Sequence, residues 1–146
     1  MNTLPRRILL AVTSLIGAFV GVWAAAFPQS FYDSFPGLGF GPWVGVDGPY
    51  NEHLIRDVGA LYLALAASGI YAIVTRTIQA GRAVGVAWLV FSVPHFAYHL
   101  HHLEGFAPLD LVGQVISLGS TIVLAIPLIV PTRNLARKPT RKKTQP

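Results

Sequence analysis

Ile8-Leu9-Leu10-Ala11-Val12-Thr13-Ser14-Leu15-Ile16-Gly17-Ala18-Phe19-Val20-Gly21-Val22-Trp23-Ala24-Ala25-Ala26-Phe27 is the stretch that decides the fold. It carries no charged residue, and Arg6-Arg7 and Pro28 bound it. An α-helix of about 20 residues, rising about 1.5 Å each, crosses a hydrocarbon core of about 30 Å. The same start resembles a signal peptide, with basic residues first and the small residues Ala24-Ala25-Ala26 at its end. The apolar run is longer than the usual h-region of about 7–15 residues, so a retained span is expected. Gly17 and Gly21 form a Gly-xxx-Gly pair, with Ser14 and Ala24 or Ala25 on nearby turns. Such small residues let helices approach closely in lipid. Ordinary glycine content of a membrane helix is the plainer reading.

Working outward, the pattern recurs. Leu54–Thr75 forms a second span, interrupted near its start by Arg56 and Asp57. Residues 83–101 form a third, with Pro94 inside it, where a missing N–H kinks a helix. Leu109–Val130 forms a fourth, opened by Pro108 and Asp110. The composition agrees: of 146 residues, 53% are hydrophobic and 12% charged, with mean hydropathy +0.54. A soluble domain carries about 25% charged residues. The expectation is an all-α integral membrane four-helix bundle over residues 1–131, with spans near 8–27, 54–75, 83–101 and 109–130. A basic tail follows over 132–146. The chain has no cysteine, which excludes disulfides, thiolate nucleophiles and Cys-ligated metal sites.

The segment from Pro28 to Glu52 holds Phe31, Tyr32, Phe35, Phe40, Trp43 and Tyr50. Aromatic rings favour the membrane interface, so the segment reads as a cap on the bundle. Arg76 to Arg82 reads as a short basic loop. The tail carries Arg133, Arg137, Lys138, Arg141, Lys142 and Lys143 without an apolar period. It is expected to be disordered and to meet anionic lipid, at about 1 kcal/mol per basic residue near the surface. Nucleic acid is not expected, because the basic residues adjoin a span and no separate domain surrounds them.

Four spans put both termini on one side, together with Arg6, Arg7, Arg76, Arg82 and the tail. The positive-inside rule then gives a multi-pass cell-membrane protein with cytoplasmic N- and C-termini. Asp33, Asp47, Glu52, Asp57, Glu104 and Asp110 fall towards the outer face, with His53, His95, His99, His101 and His102. Positions three, four and seven apart share a helix face. His95, His99 and His102 therefore form one stripe, with Tyr98 beside it and His101 pointing away. His53 and Asp57 lie one turn apart, with Arg56 adjacent. Asp110, Gln114, Ser117 and Thr121 form a third polar stripe. Charges inside a bilayer are costly, so these stripes are expected to face one another in a shared pocket.

Two kinds of chemistry fit such a pocket. His95, His99 and His102 with a carboxylate from Asp57 or Asp110 could bind zinc, iron or copper. A bis-histidine haem, with His53 or His95 against His99 or His102, lacks a clear pair at matched depth on opposite helices. Without metal, His53, Arg56, Asp57, Tyr98, Asp110 and Gln114 form a ligand or proton pocket for a carboxylate, quinone or lipid head group. Structural readings stand beside both. Histidines at a helix end sit well in the head-group layer, and Asp110 suits the first turn of a helix after Pro108.

Asn51-Glu52-His53-Leu54-Ile55-Arg56-Asp57-Val58-Gly59-Ala60 resembles the DoxX-like group of small four-span bacterial membrane proteins. That resemblance implies the fold class, and for some members a role as membrane subunit of a quinone-linked or thiol-related redox system. The histidine-rich end of the third span is not part of the resemblance. His-xxx-His and His-x-His-His also resemble fragments of the histidine boxes of membrane desaturases. Those boxes lie on cytosolic loops and need more histidines, so that reading is rejected. Two functional classes remain: a metal- or redox-linked membrane protein, such as an oxidoreductase accessory subunit, and a non-enzymatic binding, transport or structural protein. Partners in view are the bilayer, a second copy of the chain, or another membrane protein.

Overall fold

Helix starts in this chain are set by proline and by side-chain caps. Pro5 stands in the first turn of α1 (Leu4–Ala26) and Pro108 opens α6 (Pro108–Ile129), where a missing N–H is harmless. Asn51 caps α4 (Glu52–Thr75), its side chain accepting from Leu54 N at 3.1 Å. Thr77 caps α5 (Ile78–His101), accepting from Ala80 N at 3.2 Å. Two short helices, α2 (Pro28–Ser34) and α3 (Trp43–Asp47), lie between α1 and α4. A computed structural model describes residues 2–131; the basic tail and its expected contact with anionic lipid lie outside the described residues.

The described residues form an all-helical bundle, and α1, α4, α5 and α6 are long and apolar enough to cross a membrane. Their packing is that of a protein surrounded by lipid. Besides Leu10 and Val20, the inner face of α1 carries Thr13, Ser14, Gly17, Gly21 and Ala24, whereas Leu4, Ile8, Leu15, Phe19 and Val22 face outward. Small and weakly polar residues inside with large apolar ones outside invert the soluble pattern.

Helix α1 packs chiefly on α4, and α5 on α6; α4 meets α5 and α1 meets α6, leaving α4 and α6 at opposite corners. The α1–α4 contact uses the Gly-xxx-Gly pair. A Cβ on Gly17 would stand 2.9 Å from the Tyr62 carbonyl oxygen, and one on Gly21 2.9 Å from that of Gly59. A Cβ on Gly59 would stand 2.5 Å from Ala25 N. The pair is thus consumed within the chain. Between α5 and α6, a Cβ on Gly85 would meet Leu128 Cβ at 2.7 Å. One heptad along, Thr121 Oγ1 donates to Ser92 Oγ at 3.0 Å. Trp88 fills the layer between and is fully buried, with Tyr62 edge-on at 6.0 Å.

One end of the bundle is basic. Asn2 N donates to the Arg76 carbonyl at 2.8 Å, and Asn2 Nδ2 to the Thr77 carbonyl at 2.8 Å. Buried Arg6 donates to the carbonyls of Pro127 (3.2 Å), Val130 (3.1 Å) and Leu128, while Arg82 Nε donates to Ile129 at 3.2 Å. Two cations thereby satisfy the open carbonyls of the α6 C-terminus and oppose its negative dipole. These bonds bring the start of α1, the α4–α5 turn and the end of α6 to the same end.

The turn between α4 and α5 is only Arg76-Thr77, not a seven-residue loop. Arg76 adopts φ 56°, the left-handed conformation that ends helices. The Thr77 cap then starts α5 well before residue 83.

Candidate functional site

The opposite end gathers the histidines and the acids. The acid buried there is Asp110. It sits in the first turn of α6, where the helix dipole favours a carboxylate. It is 9% exposed, and its Oδ1 accepts from Trp43 Nε1 at 2.8 Å and from Gly41 N at 3.0 Å. The aspartate therefore pins the segment between α1 and α4 onto α6.

That segment is a folded cap. Trp43 N donates to the Phe35 carbonyl at 2.9 Å, and Tyr32 hydroxyl to that of Gly48 at 2.9 Å. Trp23, Phe31, Phe35, Trp43 and Phe40 form a continuous aromatic chain with neighbouring centroids 4.5–6.0 Å apart, edge to face at every step except the tilted Phe31–Phe35 pair. Gly113 lets the cap down onto α6; a Cβ there would be 2.8 Å from Phe40.

Under the cap, α1 and α6 do not close. Arg6 joins them at the basic end, whereas here a cleft of about 890 Å³ lies between them. Phe19 and Trp23 line one wall, Leu109, Gly113, Ile116 and Ser117 the other, and Phe35 to Leu38 with Phe40 and Trp43 form the roof. Ligand pockets commonly measure about 300–1,000 Å³.

The residues expected to share one pocket separate into three groups. On α4, His53 Nε2 lies 3.2 Å from Asp57 Oδ2, and Arg56 Nε donates to Glu52 Oε1 at 2.8 Å; all four side chains are exposed. Arg56 also donates to the Ala25 carbonyl of α1. Asp110 lies on α6, at the opposite corner of the bundle, so Arg56, Asp57 and Asp110 do not form one network.

The third group is the histidine stripe. His95 stacks on Phe91 at 5.0 Å and meets His99 edge to face at 4.7 Å. His102 does not join them. Helix α5 ends at His101, and His102 takes φ −127°, off the helical path that the stripe assumes. Its ring stacks on Tyr98 at 4.0 Å, and its Nδ1 donates to the Tyr98 carbonyl at 2.8 Å. His101 points away, its Nδ1 donating to the Ala97 carbonyl at 2.7 Å. Among the described residues, no group of three or more His, Asp or Glu is arranged to hold a metal ion.

Gln114 is 2% exposed, and neither its Nε2 nor its Oε1 has a hydrogen-bond partner within the protein. His99 Nδ1 is likewise sealed and unpartnered. The α5–α6 register places the two at one level: Gly85 meets Leu128, Ser92 meets Thr121, and one further heptad reaches His99 and Gln114. An unsatisfied buried polar group costs about 1–3 kcal/mol.

Trp43, Gly41 and Gly113 were not among the sequence candidates. Trp43 and Gly41 reach Asp110 across 67 and 69 residues, a separation no local spacing reveals. Compared with protein-family models, curated proteins and solved structures, the chain shows a match to none.

Proposed function

We propose that this chain is a non-enzymatic lipid-binding membrane protein, which takes a hydrocarbon chain from the bilayer into the cleft between α1 and α6. The carrying observation is the cleft itself: about 890 Å³, walled by Phe19, Trp23, Leu109 and Ile116 and roofed by the aromatic cap. A side opening between two spans gives lipid direct access. Trp43 Nε1, the roof's indole donor, is already bonded to Asp110. The lining therefore selects an apolar chain rather than a charged group. Leu38 supports the same reading. It stands at the tip of the cap, 97% exposed and at φ 58°, an unusual conformation for leucine. An apolar side chain held out in this way suits insertion at the membrane interface. With Arg6, Arg7, Arg76 and Arg82 at the far end, the positive-inside rule puts the cleft in the outer leaflet.

Photoactivatable phospholipid, with the reactive group on its acyl chain, tests the reading in vesicles. Labelling is expected to concentrate on Phe19 to Trp23 and Leu109 to Ile116. Labelling spread evenly over the outward faces of α1, α4, α5 and α6 would contradict it.

A further inference from the structure

Beside the cleft lies a second cavity, which a hydrocarbon chain does not suit. It measures about 550 Å³ and is lined by Phe27, Gln29, Ser30, Tyr50, Glu52 and Arg56, where the end of α1 and the start of α2 meet the start of α4. It shares no lining residue with the cleft. Trp23 on the cleft wall donates to Ser30 at 3.1 Å, so the two cavities are neighbours.

This pocket holds both charges within reach of solvent. Arg56 Nε and Glu52 Oε1 lie 2.8 Å apart, and each side chain is about half exposed. A guanidinium carries five N–H donors. Arg56 spends Nε on Glu52 and one N–H of Nη1 on the Ala25 carbonyl, which leaves three of the five. Those suffice for bidentate contact with a phosphate. Glu52 accepts from Arg56 through Oε1, and its Oε2 remains as an acceptor. Gln29 donates its amide to Asp33 at 3.0 Å, which leaves Gln29 Oε1 to accept. Tyr50 adds a partly exposed ring, and aromatic rings attract cations.

A ligand of one sign fits poorly. An anion on Arg56 meets Glu52 beside it, and an isolated cation on Glu52 meets Arg56. A zwitterion answers both. The acceptors Glu52 Oε2, Gln29 Oε1 and the Tyr50 hydroxyl favour an ammonium that still carries N–H groups, which a choline lacks. The surroundings point to a lipid as its source. Phe27, which ends the apolar run of α1, stands exposed in the lining, and exposed Leu54 lies between Glu52 and Arg56 on α4. Hydrocarbon therefore borders the charges, as it does at the phosphate level of a bilayer.

We propose that Arg56, Glu52 and Tyr50 form a seat for a phosphoethanolamine head group, presented by a bilayer phospholipid. Arg56 donates to the phosphate. Glu52 Oε2 and Gln29 Oε1 accept from the ammonium, which lies against the Tyr50 ring. This site is separate from the cleft and does not rest on the reading of it.

The test uses the full chain in phosphatidylcholine nanodiscs containing, in turn, the same small amount of photoactivatable phosphatidylethanolamine, phosphatidylcholine or phosphatidylglycerol. The reactive group sits next to the acyl ester and so reports where the head group rests. Labelling of Phe27 to Ser30 and Tyr50 to Arg56 is expected to be at least about threefold stronger with phosphatidylethanolamine than with either other lipid. Glu52→Gln removes the anion and is expected to bring the lipids within about twofold of one another. Arg56→Gln is expected to weaken labelling by every probe at least about threefold. Thermal melting confirms that both variants are folded. Equal labelling by all probes in the parent protein would overturn the seat, and so would a preference unchanged in both variants. Millimolar glycerophosphoethanolamine, the same head without acyl chains, is expected to leave the labelling intact. Its abolition of labelling would overturn the lipid source and make the ligand a free zwitterion. Labelling of Phe19 to Trp23 and Leu109 to Ile116, read in the same samples, tests the cleft separately, and failure at one site leaves the other standing.

Discussion

At the residue scale, Asp110 has the best-defined role. Its carboxylate holds Trp43 and Gly41 with charge-assisted bonds, each worth about 1.5–3 kcal/mol. Asp110→Ala is expected to destabilise the folded protein by about 2–4 kcal/mol in detergent melts. Trp43 emission should shift to the red as the cap loosens. An unchanged melt and spectrum would show that the cap is held by its aromatic packing alone. On α4, the ion pairs His53–Asp57 and Arg56–Glu52 are separate and exposed. Arg56→Gln and Asp57→Asn should therefore combine additively, within about 0.5 kcal/mol. Coupling beyond that would place both residues in one network. The histidines divide along the same lines. His95 and His99 belong to the interior of α5, while His101 and His102 turn back onto their own backbone. Elemental analysis of the purified protein is expected to show no stoichiometric metal; a full equivalent lost in His99→Ala would restore the metal site.

At the element scale, the four long helices were legible because each is a long apolar run, and a bilayer leaves few other solutions. Two things were not. The segment between α1 and α4 read as a cap, but its two short helices and its tie to α6 were hidden, because that order comes from Asp110 and from aromatic contacts between residues distant in sequence. The end of the histidine stripe was hidden because phase arithmetic extends a helix indefinitely, whereas α5 stops at His101. Equal depth of three polar stripes also does not make a shared pocket. The order of the helices around the bundle decides that, and it sets α4 and α6 at opposite corners. The Gly-xxx-Gly pair was visible, and its partner turned out to be α4. Gly59→Leu, which forces a side chain into the α1 backbone at Ala25, should cost at least about 1–3 kcal/mol in the same melts. Gly48→Ala meets nothing within 4 Å in extended backbone, so it should stay within about 0.5 kcal/mol of the parent. Similar losses in both variants would mean that the glycines act through the unfolded chain rather than through helix contact.

At the scale of the whole molecule, the two ends of the bundle have different characters. The basic end is tied shut by Asn2, Arg6 and Arg82. The histidine end is open between α1 and α6 and covered by an aromatic cap. A closed end and an open one suit a protein that admits a ligand from one leaflet. The cysteine-free sequence makes orientation simple to measure. A single cysteine at Gln79 should be labelled from the cytoplasm, and one at Glu104 from the outside; the reverse pattern would put the cleft in the inner leaflet. Entry of lipid into the cleft is tested most directly by its tryptophans. Trp43 is 7% exposed yet forms part of the roof, whereas Trp88 is fully buried in the interior. Single-tryptophan variants can be placed in bilayers whose lipids carry bromine, a contact quencher, on the acyl chain. With a chain in the cleft, Trp43 is strongly quenched and Trp88 is not. Equal, weak quenching of Trp43 and Trp88 would mean that no lipid chain enters between α1 and α6.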